Sequence, residues 1–179
     1  MRLFFSLWPD EETRERIAAL AARIEIHAGA RRVPRENYHV TLAFIGEAGA
    51  ADLATLREIG AAQRGSPCTI VFDCCEHWAS SLVSVAAAHT TPPELADLST
   101  GLYRDWSRSA PRERRAAPPP LRAHVTLARK VVQAPVLQDM SPFQWHAASF
   151  TLVRSDAGTV HSVYTVLDTW PLLYEPATS

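Results

Sequence analysis

The chain has 179 residues, of which 47% are hydrophobic and 21% charged, and its formal net charge is −1. This length fits one domain with a substantial core, and the near-zero charge excludes a molecule-wide field that attracts nucleic acid. No apolar run approaches the ~20 residues of a membrane helix, and residues 1–8 are too short for a signal-peptide core, so we expect a cytoplasmic protein without a membrane partner.

The first third of the chain predicts strands alternating with helices. Residues 2–8 are rich in large apolar side chains and stop at Pro9, which is typical of a strand. Asp10 is a suitable N-cap for a helix over 11–27, which Gly29 would end. A second strand over 38–46 precedes a helix over 50–63.

The remainder predicts short strands around one more helix and an exposed loop. Strands are expected over 68–73, 82–88 and 122–128, and a closing hairpin pairs 149–154 with 160–170. Pro92 and Pro93 open a helix, and 108–120 is rich in arginine and proline, as exposed loops are. The absence of long parallel crossovers predicts an α+β fold with mostly antiparallel sheets.

A pentapeptide, His-Val-Thr-Leu-Ala, occurs twice, at 39–43 and again 85 residues later at 124–128. Each copy has strand character and sits in a similar setting in its half of the chain, which predicts two pseudo-symmetric lobes around a central groove. Side chains alternate along a strand, so we expect the His, Thr and Ala of each copy to face the groove. The Val and Leu of each copy, together with Phe44, would then face the core.

Two imidazoles and two hydroxyls converging on one point suit the hydrolysis of a phosphodiester. One imidazole can take a proton from water while the other protonates the leaving oxygen. The threonine hydroxyls, on Thr41 and Thr126, can donate hydrogen bonds to phosphate oxygens. A single His-x-Thr on a strand is usually structural, but two copies at matching positions favour a catalytic site.

Around these motifs the chain resembles the bacterial RNA 2′,3′-cyclic phosphodiesterases, also called 2′-5′ RNA ligases, of the two-histidine phosphoesterase superfamily. The resemblance spans nearly all of 1–179, and its most specific parts are the segments 33–42 and 124–129, which carry the His-x-Thr motifs at 39–42 and 124–127. It implies a single bilobal α+β domain. Two departures stand out: Arg32 where the family usually has a bulky apolar residue, and Leu121-Arg122-Ala123 where it often has Phe-x-Pro.

The same resemblance implies a reaction and roles for its residues. The enzyme would open 2′,3′-cyclic phosphate ends of RNA to a 2′-phosphate, with reversible 2′-5′ RNA joining as a second activity. His39 would donate a proton to the leaving 3′ oxygen, and His124 would activate water. The near symmetry of the two copies leaves these two roles interchangeable on the residues alone.

Basic residues near the second motif are candidate RNA contacts, although such a run is most often a solvated loop. Those we single out are Arg112, Arg114, Arg115 and Arg129.

The three cysteines and seven histidines show no zinc-ligand spacing. We therefore expect reduced thiols, no metal, no cofactor and, by default, a monomer.

Two alternatives to the RNA-end enzyme stay open. One keeps the chemistry but changes the substrate to a small cyclic nucleotide or an ADP-ribose cyclic phosphate. The other is a non-catalytic RNA-binding module, which would need an aromatic platform that a His-x-Thr-x-Ala face does not provide.

Overall fold

The computed structural model describes residues 1–111, 119–135, 140–158 and 161–174. The described helices are α1 (Glu11–Arg23), α2 (Ala50–Ala62) and α3 (Pro93–Ser109), and a short 3₁₀ turn covers Arg35–Asn37. The described strands are β1 (Arg2–Leu7), β2 (Arg31–Arg32), β3 (Val40–Glu47), β4 (Cys68–Phe72), β5 (Cys74–Trp78), β6 (Val83–Ala87), β7 (His124–Arg129), β8 (Phe143–Ala147), β9 (Ser149–Asp156) and β10 (Val163–Pro171).

The strands form two four-stranded sheets and one two-stranded sheet. The first sheet has the order β10-β9-β1-β3, the second has the order β2-β7-β6-β5, and β4 pairs with β8. Every strand pair within the described ranges is antiparallel. The predicted α+β class with antiparallel sheets and flanking helices is confirmed.

Each four-stranded sheet draws strands from both halves of the chain. The first sheet joins strands from both ends of the sequence, whereas three strands of the second come from its middle. The segment before β3 crosses over to the second sheet, where Arg31 and Arg32 of β2 pair with β7. The segment that leads into the first His-x-Thr motif is therefore hydrogen-bonded to β7, the strand that contains the second motif.

Helix α1 begins as predicted and ends earlier. The Asp10 side chain accepts a hydrogen bond from the Thr13 amide at 2.7 Å, as an N-cap does. The helix ends at Arg23 rather than near residue 27. The Arg32 guanidinium donates to the carbonyls of Ala21 and Ile24, at 3.0 and 2.6 Å, and so satisfies carbonyls that the end of a helix leaves open.

The core lies between the sheets and the helices. Helix α3 buries a stripe of leucines at helical spacing, Leu95, Leu98 and Leu102. The largest wholly buried side chains come from the strands and include Phe5, Phe72, Trp145 and Phe150. Each such side chain contributes roughly 1.5–3 kcal/mol on burial. All three cysteines are free thiols, as expected. None of the helices described is long and apolar enough to cross a membrane.

Candidate active site

The two pentapeptide copies begin at equivalent points of neighbouring strands. His39 directly precedes β3, and His124 is the first residue of β7. Strands β3 and β7 contact each other although they belong to different sheets. The first copy therefore starts one residue outside its strand, and both histidines lie where a strand begins.

Each copy contains a β-bulge at its leucine. The pairing of β1 with β3 passes from Ala43 to Thr41, which leaves Leu42 unmatched. In the same way, the pairing of β6 with β7 passes from Ala128 to Thr126 and leaves Leu127 unmatched. A bulge inserts one extra residue into one strand and re-aims the side chains that follow it.

The bulges overturn the predicted alternation beyond the threonines. Ala43 and Ala128 were expected on the groove face and are buried, whereas Phe44 was expected in the core and is 57% exposed. In β7 the same slip places Arg129 on the exposed face together with His124 and Thr126. Strict alternation would have sent Arg129 to the opposite face, so the bulge delivers this cation to the groove.

The carbonyl of each bulged leucine has a partner outside the strand ladder. The Ser99 hydroxyl of α3 donates to the Leu42 carbonyl at 2.7 Å. The amide of Val33, in the segment that crosses between the sheets, donates to the Leu127 carbonyl at 2.9 Å. These bonds satisfy backbone groups that would otherwise be buried and unpaired, and they hold both copies in one shape.

Two hollows lie along the groove, and each combines the histidine of one copy with the threonine of the other. His39 and Thr126 line a hollow of about 160 Å³, here called the His39 hollow. His124 and Thr41 line a hollow of about 240 Å³, here called the His124 hollow. The structure therefore brings together the four residues that the repeat predicted, in a crossed arrangement.

His39 sits in an aromatic cage. Its ring stacks on Trp8 at 5.8 Å between centroids, contacts Phe4 at 5.0 Å and meets the edge of Tyr164 at 5.3 Å. The pKa of His39 is lowered to about 4, mainly by this desolvation, and the nearby charges of Arg129 and His124 contribute in the same direction. In the absence of an anion, His39 is therefore neutral at physiological pH.

His124 has a different neighbourhood. The Trp78 ring lies 4.5 Å from the His124 ring and tilts 56° from it. Burial lowers the pKa of His124, and the charges of Arg122 and Arg129 act in the same direction. Both histidines are thus neutral bases in the free protein, held so mainly by desolvation.

The same kind of hydrogen bond fixes the tautomer of each histidine ring. Nδ1 of His39 lies 2.7 Å from the Asn37 carbonyl, and Nδ1 of His124 lies 2.8 Å from the Arg122 carbonyl. Because a carbonyl only accepts, Nδ1 must carry the hydrogen in each neutral ring. The lone pair is then on Nε2, which is the nitrogen available for proton transfer.

Cations line the His39 hollow beside His39 and Thr126. Besides Arg129, they include Arg31 and Lys130. The His124 hollow is lined mostly by apolar and aromatic groups, including Trp78, Tyr103, Pro120 and Leu121, together with Arg122. The predicted RNA contacts Arg112, Arg114 and Arg115 lie outside the described residues.

The two departures from the family pattern acquire structural roles. Arg32, in place of a bulky apolar residue, caps the end of α1 through its guanidinium while lining the His39 hollow. Arg122 supplies the carbonyl that accepts from His124, and its guanidinium forms an ion pair with Glu76. Sequence reasoning flagged both positions but did not find Glu76.

The aromatic neighbours of the histidines were also missed. Trp8, Trp78 and Tyr164 come from three separate strands or strand ends, and each forms ring contacts with one of the two histidines. The one available signal was the position of Trp8 at the end of the first strand-like segment. Nothing in the sequence indicated which histidine each would meet.

One group of potential metal ligands occurs in the described part of the chain. The ligand atoms of Asp73, Cys74 and His89 lie within 4.8 Å of one another. His89 Nδ1 is 2.9 Å from Asp73 Oδ1, so two members already form an ion pair when the imidazole is protonated. None of the three lines either hollow among the residues described.

Comparisons with known proteins agree with this geometry. Residues 7–85 match the model of the LigT-like phosphoesterase family. The chain is 30% identical to the RNA 2′,3′-cyclic phosphodiesterase of Escherichia coli strain K12 over 173 residues, which cover 96% of each protein. It is 27% identical to the RNA 2′,3′-cyclic phosphodiesterase of Thermus thermophilus, covering 96% of this chain and 90% of that one.

Solved structures show the same fold. The crystal structure of E. coli LigT with 3′-AMP superposes with a TM-score of 0.82 at 27% identity, covering 97% of this chain and 98% of that one. TT0787 of T. thermophilus gives a TM-score of 0.84 at 26% identity, over 96% and 98% of the two chains. On sequence and fold together, this chain belongs to the LigT-like phosphoesterase family.

Proposed function

We propose that this protein is a metal-independent RNA 2′,3′-cyclic phosphodiesterase that leaves a 2′-phosphate. The observation that carries the proposal is the crossed arrangement of the motifs, in which each hollow combines one histidine with the threonine of the other copy. A phosphorus atom between the hollows would have a proton-transfer group on two sides and a hydroxyl donor on two sides. Family membership and the names of the relatives support the same activity.

The reaction follows from the two Nε2 atoms. His124 takes a proton from water as the water oxygen attacks phosphorus, and the bond from phosphorus to the 3′ oxygen breaks. His39 gives its proton to that oxygen, so the 2′-phosphate ester remains. Thr41 and Thr126 donate to the non-bridging oxygens, whose negative charge grows in the transition state. The assignment of donor and acceptor follows the family resemblance.

The donor role requires His39 to be protonated despite its cage. Burial keeps its pKa at about 4 in the free protein. A bound cyclic phosphate brings a negative charge against the ring, and a nearby anion raises the pKa of a histidine. Substrate binding would therefore favour the protonated form of His39. The same anion would raise the pKa of His124 from its lowered value, and His124 is assigned as the base on the family resemblance.

The cations of the His39 hollow favour a substrate with more than one phosphate. Arg31, Arg129 and Lys130 lie beside the proposed acid, where the nucleoside carrying the 3′ oxygen would be held. An RNA end supplies further phosphates there, whereas a cyclic mononucleotide does not. If a 5′-hydroxyl replaces water in the same attack, the product is a 2′-5′ linkage, which would account for RNA joining.

A small cyclic nucleotide is the second candidate substrate. The observation in its favour is that the related LigT of E. coli has been solved with 3′-AMP, a mononucleotide.

The cytoplasmic location and the monomeric state stay predictions from the sequence.

The test compares an oligonucleotide bearing a 2′,3′-cyclic phosphate with cyclic mononucleotides, in excess EDTA and with added Mg²⁺ or Zn²⁺. We expect a 2′-phosphate product, identified by ³¹P NMR, a higher kcat/KM for the oligonucleotide, and equal rates with chelator and with metal. The His124→Ala variant serves as the inactive control. A 3′-phosphate product, or activity lost in EDTA and restored by metal, would contradict the mechanism.

A further inference from the structure

We propose that Glu76 is a positioning residue for His124 and acts through Trp78 and Arg122. This inference rests on the proposed function for its effect on turnover. It concerns a carboxylate on the edge strand β5, outside both copies of the pentapeptide.

Glu76 binds both groups that hold the His124 ring. Its Oε2 accepts a hydrogen bond from the Trp78 indole N–H at 2.7 Å, and its Oε1 accepts from the Arg122 guanidinium. Trp78 packs against the His124 imidazole, and the Arg122 carbonyl accepts from its Nδ1. The carboxylate therefore joins the ring wall of His124 to the residue that fixes its tautomer.

Strand geometry explains why one side chain can do this. Cys74, Glu76 and Trp78 are spaced by two residues, so they share one face of β5. Cys74 and Trp78 pack on a small apolar cluster of β6, made by Val83, Val85 and Ala87. This packing leaves Glu76 between the indole and the segment that leads into β7.

The carboxylate is charged and its acceptor capacity is used. The hydrogen bond from Trp78 is the main cause that holds the pKa of Glu76 below its ordinary value, and Arg122 lowers it further. The Cys74 Sγ lies 3.6 Å from Oε1 and 3.3 Å from the Ala87 carbonyl oxygen, so its one hydrogen has two acceptors. The Glu76 side chain is 28% exposed, so its ion pair with Arg122 is only partly screened by solvent. Loss of the carboxylate would free both the indole and the guanidinium next to the proposed base.

The experiment uses Glu76→Ala and Glu76→Gln, with Asp168→Asn as the matched control. Asp168 also joins separate elements, α2 and β10, through an ion pair with Arg57, and its side-chain exposure is 31%. For Glu76→Ala we expect kcat on cyclic phosphate to fall about 10- to 100-fold with KM within about threefold, because small displacements of a reacting group act on kcat. Asp168→Asn should leave both constants unchanged.

A thermodynamic cycle distinguishes a positioning role from a general loss of structure. Trp78→Phe keeps a ring against His124 but removes the indole donor. The quantity compared is kcat on cyclic phosphate. If Glu76 acts through Trp78 and Arg122, adding Glu76→Ala to the Trp78→Phe/Arg122→Ala double variant should lower kcat little further. Fully additive losses would overturn the proposal. If Glu76→Ala does not fold, Glu76→Gln and Trp78→Phe carry the same comparison.

A spectroscopic readout separates this inference from the proposed function. In ¹⁵N NMR of the histidine rings, wild-type His124 should have a protonated Nδ1 and an unprotonated Nε2, and Glu76→Ala should shift both resonances or mix the tautomers. Spectra of the His124→Ala variant assign the signals. If wild type hydrolyses no cyclic phosphate but this shift appears, the proposed function fails and the positioning role stands. Unchanged His124 resonances, with kcat equal to that of Asp168→Asn, would overturn the positioning role.

Discussion

The two copies of His-Val-Thr-Leu-Ala have the same local backbone and different surroundings. Both contain a bulge at the leucine, and both rings bond through Nδ1 to the carbonyl two residues earlier. His39, however, lies in an aromatic cage, whereas His124 lies beside Trp78 and a charged residue, Arg122. The repeat thus specifies where the proposed reacting atoms lie, and the neighbours specify how each ring ionises.

The copies also differ at the residue that each bulge turns outward. In the first copy this residue is Phe44, and in the second it is Arg129. Only the second position lines a hollow among the residues described, where it meets Arg31 and Lys130. A two-fold site built from one peptide therefore has Arg31, Arg129 and Lys130 on the His39 side, whereas Arg122, which lines the His124 hollow, is paired with Glu76.

Loss of either histidine should have the largest effect. His39→Ala and His124→Ala should each lower kcat by roughly 10²–10⁴-fold, since each removes one proton-transfer step. Steady-state rates on a cyclic-phosphate oligonucleotide, with circular dichroism as the folding check, measure this. His146→Ala, on the β8 strand, is the control and should keep wild-type turnover. One fully dispensable motif histidine would break the two-sided account.

The threonines should come next. Thr41→Ala and Thr126→Ala should each cost on the order of 2–4 kcal/mol of transition-state stabilisation, as for a lost oxyanion donor. Thr→Ser keeps the hydroxyl and should be mild at both positions. The measurement is kcat/KM for the four variants. Equal damage from Ser and Ala would show that the methyl group packs and that the hydroxyl is not a donor.

The smallest effect should be electrostatic, and of the two equivalent positions after the bulges only the one in β7 should show it. Arg129→Gln should reduce the slope of log KM against log salt for an oligonucleotide by about 1, as for one lost phosphate contact. Phe44→Ala, at the equivalent position, should leave the slope unchanged. Arg112, Arg114 and Arg115, replaced together by Gln, should flatten it further. If none of these substitutions changes the slope, the arginines are solvated surface residues that do not contact the RNA phosphates.

Much of the fold follows from sequence patterns that are local. The Asp10 cap, the helix opened by Pro92 and Pro93 and the closing hairpin all depend on neighbours within a few residues, and all three occur as predicted. Strand β8 was missed although Phe143, Trp145 and Ala147 alternate as a half-buried strand does. Strand β5 was missed because Cys74–Trp78 has no such alternation and all five residues are half-buried.

The candidate site was predictable in its four central residues and not in its environment. The repeat names His39, Thr41, His124 and Thr126, and alternation places the first three residues of each copy correctly. The bulges depend on pairing with β1 and β6, and on donors from Ser99 and Val33 that are distant in sequence. For the same reason, the aromatic cage and Glu76 became visible only when separate strands were brought together.

The most direct test of the account is the pH dependence of turnover in wild type, His39→Ala and His124→Ala. The reaction needs His124 without a proton and His39 with one, so the rate falls at low pH as the base is protonated and at high pH as the acid is lost. These limbs report the coupled pair. Because burial lowers the pKa of both histidines in the free protein and a bound phosphate raises it, the alkaline limb of kcat/KM should lie at lower pH than that of kcat, which is measured with the phosphate bound. We predict that residual activity loses the acidic limb in His124→Ala and the alkaline limb in His39→Ala. Folded variants that both keep a complete bell-shaped profile at near-normal turnover would contradict the account.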